Sequence, residues 1–246
     1  MKKIITYIFM VVAALLLVFL IGKALPFSNY TNNFISRTVV SLLLVFILIK
    51  RDNLSVFFLN KKFLKGVYLG KWLILIIIAN ALSALKVFDS INFTAGTIFL
   101  LLASNFMIAF FEEVLTRGII FNQLLKEYSV TKAALLSSVI FGVVHLINLT
   151  HNPDFVGALS QVIYTFFIGV LFAAVYYATK NLWSAIFLHF ILDLSSGLQE
   201  IASPEKVAHV TQTNVISALL ILVLVFPAYY SGRKILTKYA SEKPLY

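Results

Sequence analysis

Cysteine is absent from the 246 residues, which excludes a disulfide framework, a thiolate metal site and a cysteine nucleophile. Charge is scarce as well. Asp, Glu, Lys and Arg make up only 12% of the chain, against about a quarter in a soluble domain. No internal repeat, low-complexity tract or soluble domain stands out. What is abundant is oil: 61% of residues are hydrophobic and the mean hydropathy is +0.95. A soluble core could not hide that much apolar surface, whereas a bilayer can, so the chain reads as an integral membrane protein. The formal charge of +10 does not point to nucleic acid. The lysines lie in short segments between apolar runs, where juxtamembrane charges sit.

Eight apolar segments approach the ~20 residues a helix needs to cross a bilayer. They run near Ile4–Leu25, Phe34–Ile49, Val67–Phe88, Thr97–Leu124, Ala133–Leu149, Phe155–Thr179, Leu182–Leu198 and Thr211–Tyr230. The first follows Lys2 and Lys3, as a signal peptide would. Its apolar run is longer than the ~7–15 residues of a signal h-region, so it reads as a retained span. Lysine and arginine cluster in alternate connections: Lys50 to Lys71, then Lys126 and Lys132, then Lys180, then Arg233 to Lys243. That alternation predicts an even number of spans with both termini in the cytoplasm. The expected fold is therefore all-α, a polytopic membrane helical bundle of about eight transmembrane helices. It forms one integral-membrane domain over 1–246, with a short basic cytoplasmic tail over 231–246. Between the second and third spans, Leu54–Gly66 mixes aromatics with lysines, as an amphipathic helix on the inner leaflet or an ordinary basic loop would.

Ionisable groups inside a span are costly, usually face the bundle interior and often mark function. Here they occur on the fourth, fifth and seventh spans: Glu112, Glu113 and Arg117; His145; His189 and Asp193. The first, sixth and eighth spans carry essentially none away from their ends. Successive residues on a helix point about 100° apart, so Glu112 and Glu113 have different tasks. Glu113 and Arg117, four apart, can pair on the helix surface, which leaves Glu112 facing a site. His189 and Asp193 share a face, as do Phe141 and His145, with Phe141 as a packing wall. At about 1.5 Å per residue, Glu112, His145, Asp193 and His189 lie roughly 20, 20, 18 and 12 Å from the cytoplasmic ends of their helices. They can meet in one layer. A carboxylate and an imidazole holding a water form a hydrolytic nucleophile, by general base action or through a metal. The second histidine and the aspartate could complete a metal site or support an oxyanion.

Glu112-Glu113-x-x-x-Arg117, Phe141-x-x-x-His145 and His189-x-x-x-Asp193, in that order on separate helices, resemble the three-part signature of the CPBP family. These are the CAAX proteases and bacteriocin-processing enzymes, also called the Abi family. The resemblance covers a motif-bearing core over 97–198. It implies an intramembrane endopeptidase that hydrolyses a peptide bond in a peptide or membrane-anchored protein near the cytoplasmic side. Glu112 would activate the water, His145 would hold it, and His189 with Asp193 would support the oxyanion. Glu113 and Arg117 would position their helix. The family is often described as metalloprotease, so a divalent metal such as zinc on Glu112, His145, His189 and Asp193 is the alternative to a metal-free glutamate mechanism. Asp193 stands where the best-known eukaryotic members have Asn, and an aspartate suits a metal better than an oxyanion.

Other readings compete with this one. The same fold could serve as a non-catalytic membrane partner, in bacteriocin immunity or in modulating a sensor kinase. A proton-coupled carrier would use the same acids as a relay but usually shows inverted halves, which are absent here. The intramembrane histidines could be plain interhelical hydrogen bonders. His151 and His209 read as surface residues, and Asn105 as a residue lining the site or packing beside it. The expected partners are the lipid bilayer and a peptide or membrane-protein substrate, with no nucleic acid.

Overall fold

The structure, a computed structural model, describes residues 2–50, 54–57, 59–86, 93–150, 153–200 and 213–240. His151 and His209 lie outside these residues, as do Arg51, Phe88, Lys206 and 241–246 of the basic tail. The described residues are helical throughout, without a strand: α1 (Lys2–Ala24), α2 (Asn29–Lys50), α3 (Phe63–Leu69), α4 (Ile74–Leu85), α5 (Ala95–Glu113), α6 (Asn122–Leu124), α7 (Val130–Val143), α8 (Phe155–Thr179), α9 (Leu182–Glu200) and α10 (Val215–Ala240). A π-helical segment, Val114–Phe121, joins α5 to α6. Among the described residues six stretches are long and apolar enough to cross a membrane, from Ile5–Ala24 to Val215–Ala240. The chain is a multi-pass membrane protein.

One of the expected spans takes another shape. The third is a bent pair, α3 and the Lys71–Leu85 helix, meeting at 48°. The bend falls at Gly70, where an added Cβ would lie 2.3 Å from Leu188 Cδ1, so any side chain there would have to displace the Leu188 side chain. The seventh runs as the helix α9, Leu182–Glu200.

α8 is the central helix, buried without interruption from Ile168 to Tyr176, with α7 and α10 packed against it. Lipid supplies no hydrophobic drive between helices, so close approach through small residues holds them together. An added Cβ at Gly142 would come within 2.7 Å of Val162 O. The outward faces of α1, α2 and α10 carry leucine, isoleucine and phenylalanine exposed by a third or more, as lipid-facing surfaces do. The basic tail is not a free segment up to Ala240. It continues α10, with Ile235 and Leu236 buried.

The lysine-rich linker is held against the bundle by hydrogen bonds. It forms a 3₁₀ turn at Leu54–Phe57 and the short α3, strapped to the α8–α9 turn. Asn60 Nδ2 donates to Thr179 O and Lys180 O, both at 3.1 Å. Trp183 Nε1 donates to Phe57 O at 2.7 Å, and Ser184 Oγ to Phe63 O at 3.1 Å. Lys180 ends α8 in the left-handed region, with φ 51°. The strap therefore fixes where α9 begins. Replacing Asn60 by alanine removes both hydrogen bonds to the turn and should cost about 1–3 kcal/mol. Thermal unfolding in detergent should show this as a lower midpoint.

A second clasp lies at the opposite end of α8. Asp154 caps that helix, accepting from Gly157 N at 2.9 Å, and also accepts from the backbone and hydroxyl of Thr213 ahead of α10. The Thr213 hydroxyl above all, then the Gly157 amide, holds the Asp154 carboxyl below its usual range. A depressed pKa means the clasp is fully formed above the unfolded value, about 3.9, and is lost as pH falls through the folded one. Asp154→Asn should therefore flatten the acid limb of the stability–pH curve while changing its slope near neutrality little.

Candidate active site

Glu113, Arg117 and His189 form the most deeply buried polar cluster of the site. Glu113 and Arg117 are both fully buried, and Arg117 Nη1 donates to Glu113 Oε1 at 2.7 Å. The same nitrogen reaches Thr116 Oγ1 at 2.8 Å, and Nη2 reaches Gly169 O on α8 at 3.1 Å. The guanidinium also lies over the rings of Phe141 at 4.6 Å and Phe172 at 5.5 Å. This pairing matches the expected i,i+4 spacing. Its setting does not: from Val114 onward the chain is π-helical, and all eight residues of that segment are buried. A π turn takes in more residues than an α turn and is frequent at functional sites.

Glu113 has a second partner. His189 Nδ1 lies 2.9 Å from Glu113 Oε1. A carboxylate only accepts, so Nδ1 carries the hydrogen and Nε2 faces the other way. Asp193 Oδ2 lies 3.4 Å and Glu112 Oε2 3.9 Å from Nε2. One imidazole thus spans both adjacent acids, so Glu113 does more than hold an arginine. Glu112 and Asp193 are the less buried acids, with side chains 18% and 24% exposed against 0% for Glu113.

His145 sits just past the end of α7, where the chain tightens to a 3₁₀ helix over Val144–Thr150. Its Nδ1 lies 2.8 Å from Phe141 O. A carbonyl also only accepts, so this contact makes Nδ1 the donor and leaves Nε2 as the nitrogen available to the site. Phe141 packs edge-on to both imidazoles, with centroids 5.1 Å from His145 and 5.9 Å from His189. The expected packing wall thus touches both histidines and the arginine.

Glu112, His145, His189 and Asp193 line one cavity of about 490 Å³. Asn105 lines it too, with Nδ2 committed to Leu101 O at 2.8 Å. So do Arg37 on α2, Asn80 on α4, and Gln161 and Tyr164 on α8. None of these last four was singled out from the sequence. Tyr164 and Gln161 sit on a helix that looked free of site residues because neither is ionised at neutral pH. Arg37 is a lone charge within the second apolar segment.

The site residues are of metal-ligand type, and both histidines donate through Nδ1 to protein oxygens, as a ligating histidine does with its other nitrogen. Among the described residues, however, no group of three or more His, Cys, Asp or Glu side chains is placed together to hold an ion. No step below runs through a metal.

The buried pair makes a direct prediction. Arg117→Met strands the Glu113 carboxylate, and breaking one partner of a buried pair costs about 3–5 kcal/mol. The protein should unfold in detergent at a much lower denaturant concentration. Adding Glu113→Gln should recover part of the loss, since the amide is uncharged and its oxygen still accepts from His189 Nδ1.

A family model for type II CAAX prenyl endopeptidases, Rce1-like, matches residues 94–195. YdiL of Bacillus subtilis (strain 168), a candidate membrane peptidase, is 38% identical over 82 residues, which is 33% of this chain and 29% of that protein. The chain thus aligns with less than a third of that relative's length. No solved structure matches. The matched segment, residues 94–195, holds Glu112, Glu113, Arg117, His145, His189 and Asp193, and over that segment the chain is similar to the Rce1-like CAAX endopeptidases.

Proposed function

We propose that the chain is an intramembrane endopeptidase that hydrolyses a peptide bond in a peptide or membrane-anchored protein segment, with Glu112 and His145 activating the water. The observation that carries this reading is a pair of hydrogen-bond acceptors on one cavity. Glu112 offers a carboxylate, and His145, with Nδ1 donating to Phe141 O, offers Nε2. A water giving one hydrogen to each turns its lone pairs outward, toward an incoming carbonyl. Its oxygen bonds to the carbonyl carbon as Glu112 takes one proton, and the carbonyl π pair moves onto oxygen. When the tetrahedral species collapses, the C–N bond breaks and Glu112 passes the proton to the departing nitrogen. His189, anchored by Glu113, keeps the imidazole next to both Glu112 and Asp193.

The test uses the purified protein in liposomes with a panel of internally quenched peptides, some ending in an S-farnesyl-cysteine tetrapeptide and some unmodified. Mass spectrometry of the products identifies the cut bond. Glu112→Gln and His145→Ala should each lower turnover by about 10²–10⁴-fold, the size of a general base contribution, without loss of folded protein. Turnover should persist in a chelator. Absence of cleavage across the panel, or full turnover by Glu112→Gln, overturns the protease reading. Chelator inactivation reversed by zinc overturns the metal-free mechanism.

A further inference from the structure

Attack on a carbonyl turns its oxygen into an oxyanion, which needs hydrogen-bond donors already aimed at it. The four motif positions, Glu112, His145, His189 and Asp193, are poor in them. Asp193 sits 3.4 Å from His189 Nε2, and an aspartate in its ionised form can only accept. It would repel the charge that develops. His189 donates through Nδ1 to Glu113, and its Nε2 is turned to carboxylates. The donor has to come from elsewhere on the wall.

Four hydroxyls line the cavity: Thr116, Tyr164, Thr165 and Ser196. Three of them spend their single hydrogen on helix carbonyls. Thr116 donates to Glu112 O at 2.5 Å, Thr165 to Gln161 O at 2.6 Å and Ser196 to Asp193 O at 3.0 Å. Tyr164 differs. Asn148 Nδ2 donates to Gln161 Oε1 at 2.9 Å, which leaves the Gln161 NH₂ as the end that can reach the Tyr164 hydroxyl one turn on. An oxygen that accepts from Gln161 keeps its own hydrogen to give. Tyr164 lines the same cavity as Glu112, His145 and Asp193.

We infer that Tyr164 is a further catalytic residue of this site, its phenol hydroxyl donating a hydrogen bond to the oxyanion formed at the scissile carbonyl, oriented by the Asn148–Gln161 pair. This rests on the protease reading above and adds to it the group that receives the developing charge. No proton need leave the phenol. The hydrogen bond tightens as the carbonyl π pair moves to oxygen and relaxes when the C–N bond breaks.

Tyr164→Phe removes one oxygen and keeps the ring. Measured in liposomes on the panel peptide that the unsubstituted protein cleaves fastest, it should lower kcat by about 10²-fold, as loss of one oxyanion donor does. KM should stay within about twofold, since an interaction made only in the transition state leaves ground-state binding alone. A peptide aldehyde of the same sequence, whose hydrate mimics the tetrahedral species, should inhibit the variant more weakly by a comparable factor. The melting temperature should not move. A merely structural tyrosine would shift the melting temperature, or KM and kcat together, and leave the aldehyde-to-substrate affinity ratio unchanged. Full kcat in Tyr164→Phe alongside an inactive Glu112→Gln overturns the tyrosine's role while the protease reading stands. Full kcat in Glu112→Gln overturns the protease reading itself.

Discussion

One carboxylate, Glu113, has no exposed surface and carries two bonds through a single oxygen, to Arg117 at 2.7 Å and to His189 at 2.9 Å. A charge so placed is tolerable only if its counter-ion is equally fixed, because desolvation costs several kcal/mol per ion. The arginine is fixed on every side, by Thr116, by the Gly169 carbonyl and by the faces of Phe141 and Phe172. These contacts join α5 and its π-helical extension to α7, α8 and α9. The backbone must come close for this to work: a Cβ on Gly169 would lie 3.1 Å from Arg117 Nη2. The pair therefore sets the mutual position of the helices that bring in Glu112, His145, His189 and Asp193.

With Glu113 committed to structure, its neighbour is free for chemistry. Adjacent positions on one helix cannot face the same way, so an acid-acid dipeptide gives one buried anchor and one group at the cavity wall. The side-chain exposures of 0% and 18% record that split. His189 then couples the two halves, with one nitrogen on the anchor and the other toward the cavity acids. Disturbing the anchor must turn that imidazole, so stability and site geometry are not separable here.

The eight apolar segments were legible because about 20 uninterrupted apolar residues have few other readings. The Glu113–Arg117 pair was legible because four-residue spacing is a local rule. The remainder depended on contacts between distant residues. Gly70 bends the third span because Leu188 of α9 lies against it, and nothing in the local sequence names that neighbour. The π-helical segment Val114–Phe121 has the same apolar composition as an α-helix. In a bundle whose helices are oily all round, the hydrophobic period that would orient a helix is faint. The linker at Leu54–Gly66 looked amphipathic because its lysines do face outward, while Asn60 and Gly66 dock it to the α8–α9 turn. Cofactor use, substrate and membrane orientation rest on other grounds than these contacts.

The cavity also shows why the sixth span looked inert. Reading by ionisable groups finds acceptors and bases, and the motif positions facing the cavity supply those: two carboxylates and the unbonded nitrogen of His145. That set holds a water well, since each water hydrogen needs an acceptor. A carbonyl turning into an oxyanion needs the reverse, a donor, and neutral donors leave no charge signature in a sequence. Neutral donors line the cavity from α8 and the turn before it, where Asn148 donates to Gln161, one helical turn from Tyr164. An aspartate at position 193, an acceptor in its ionised form, makes such an outside donor necessary. The helix without a charge is thus the one that balances an acceptor-rich site.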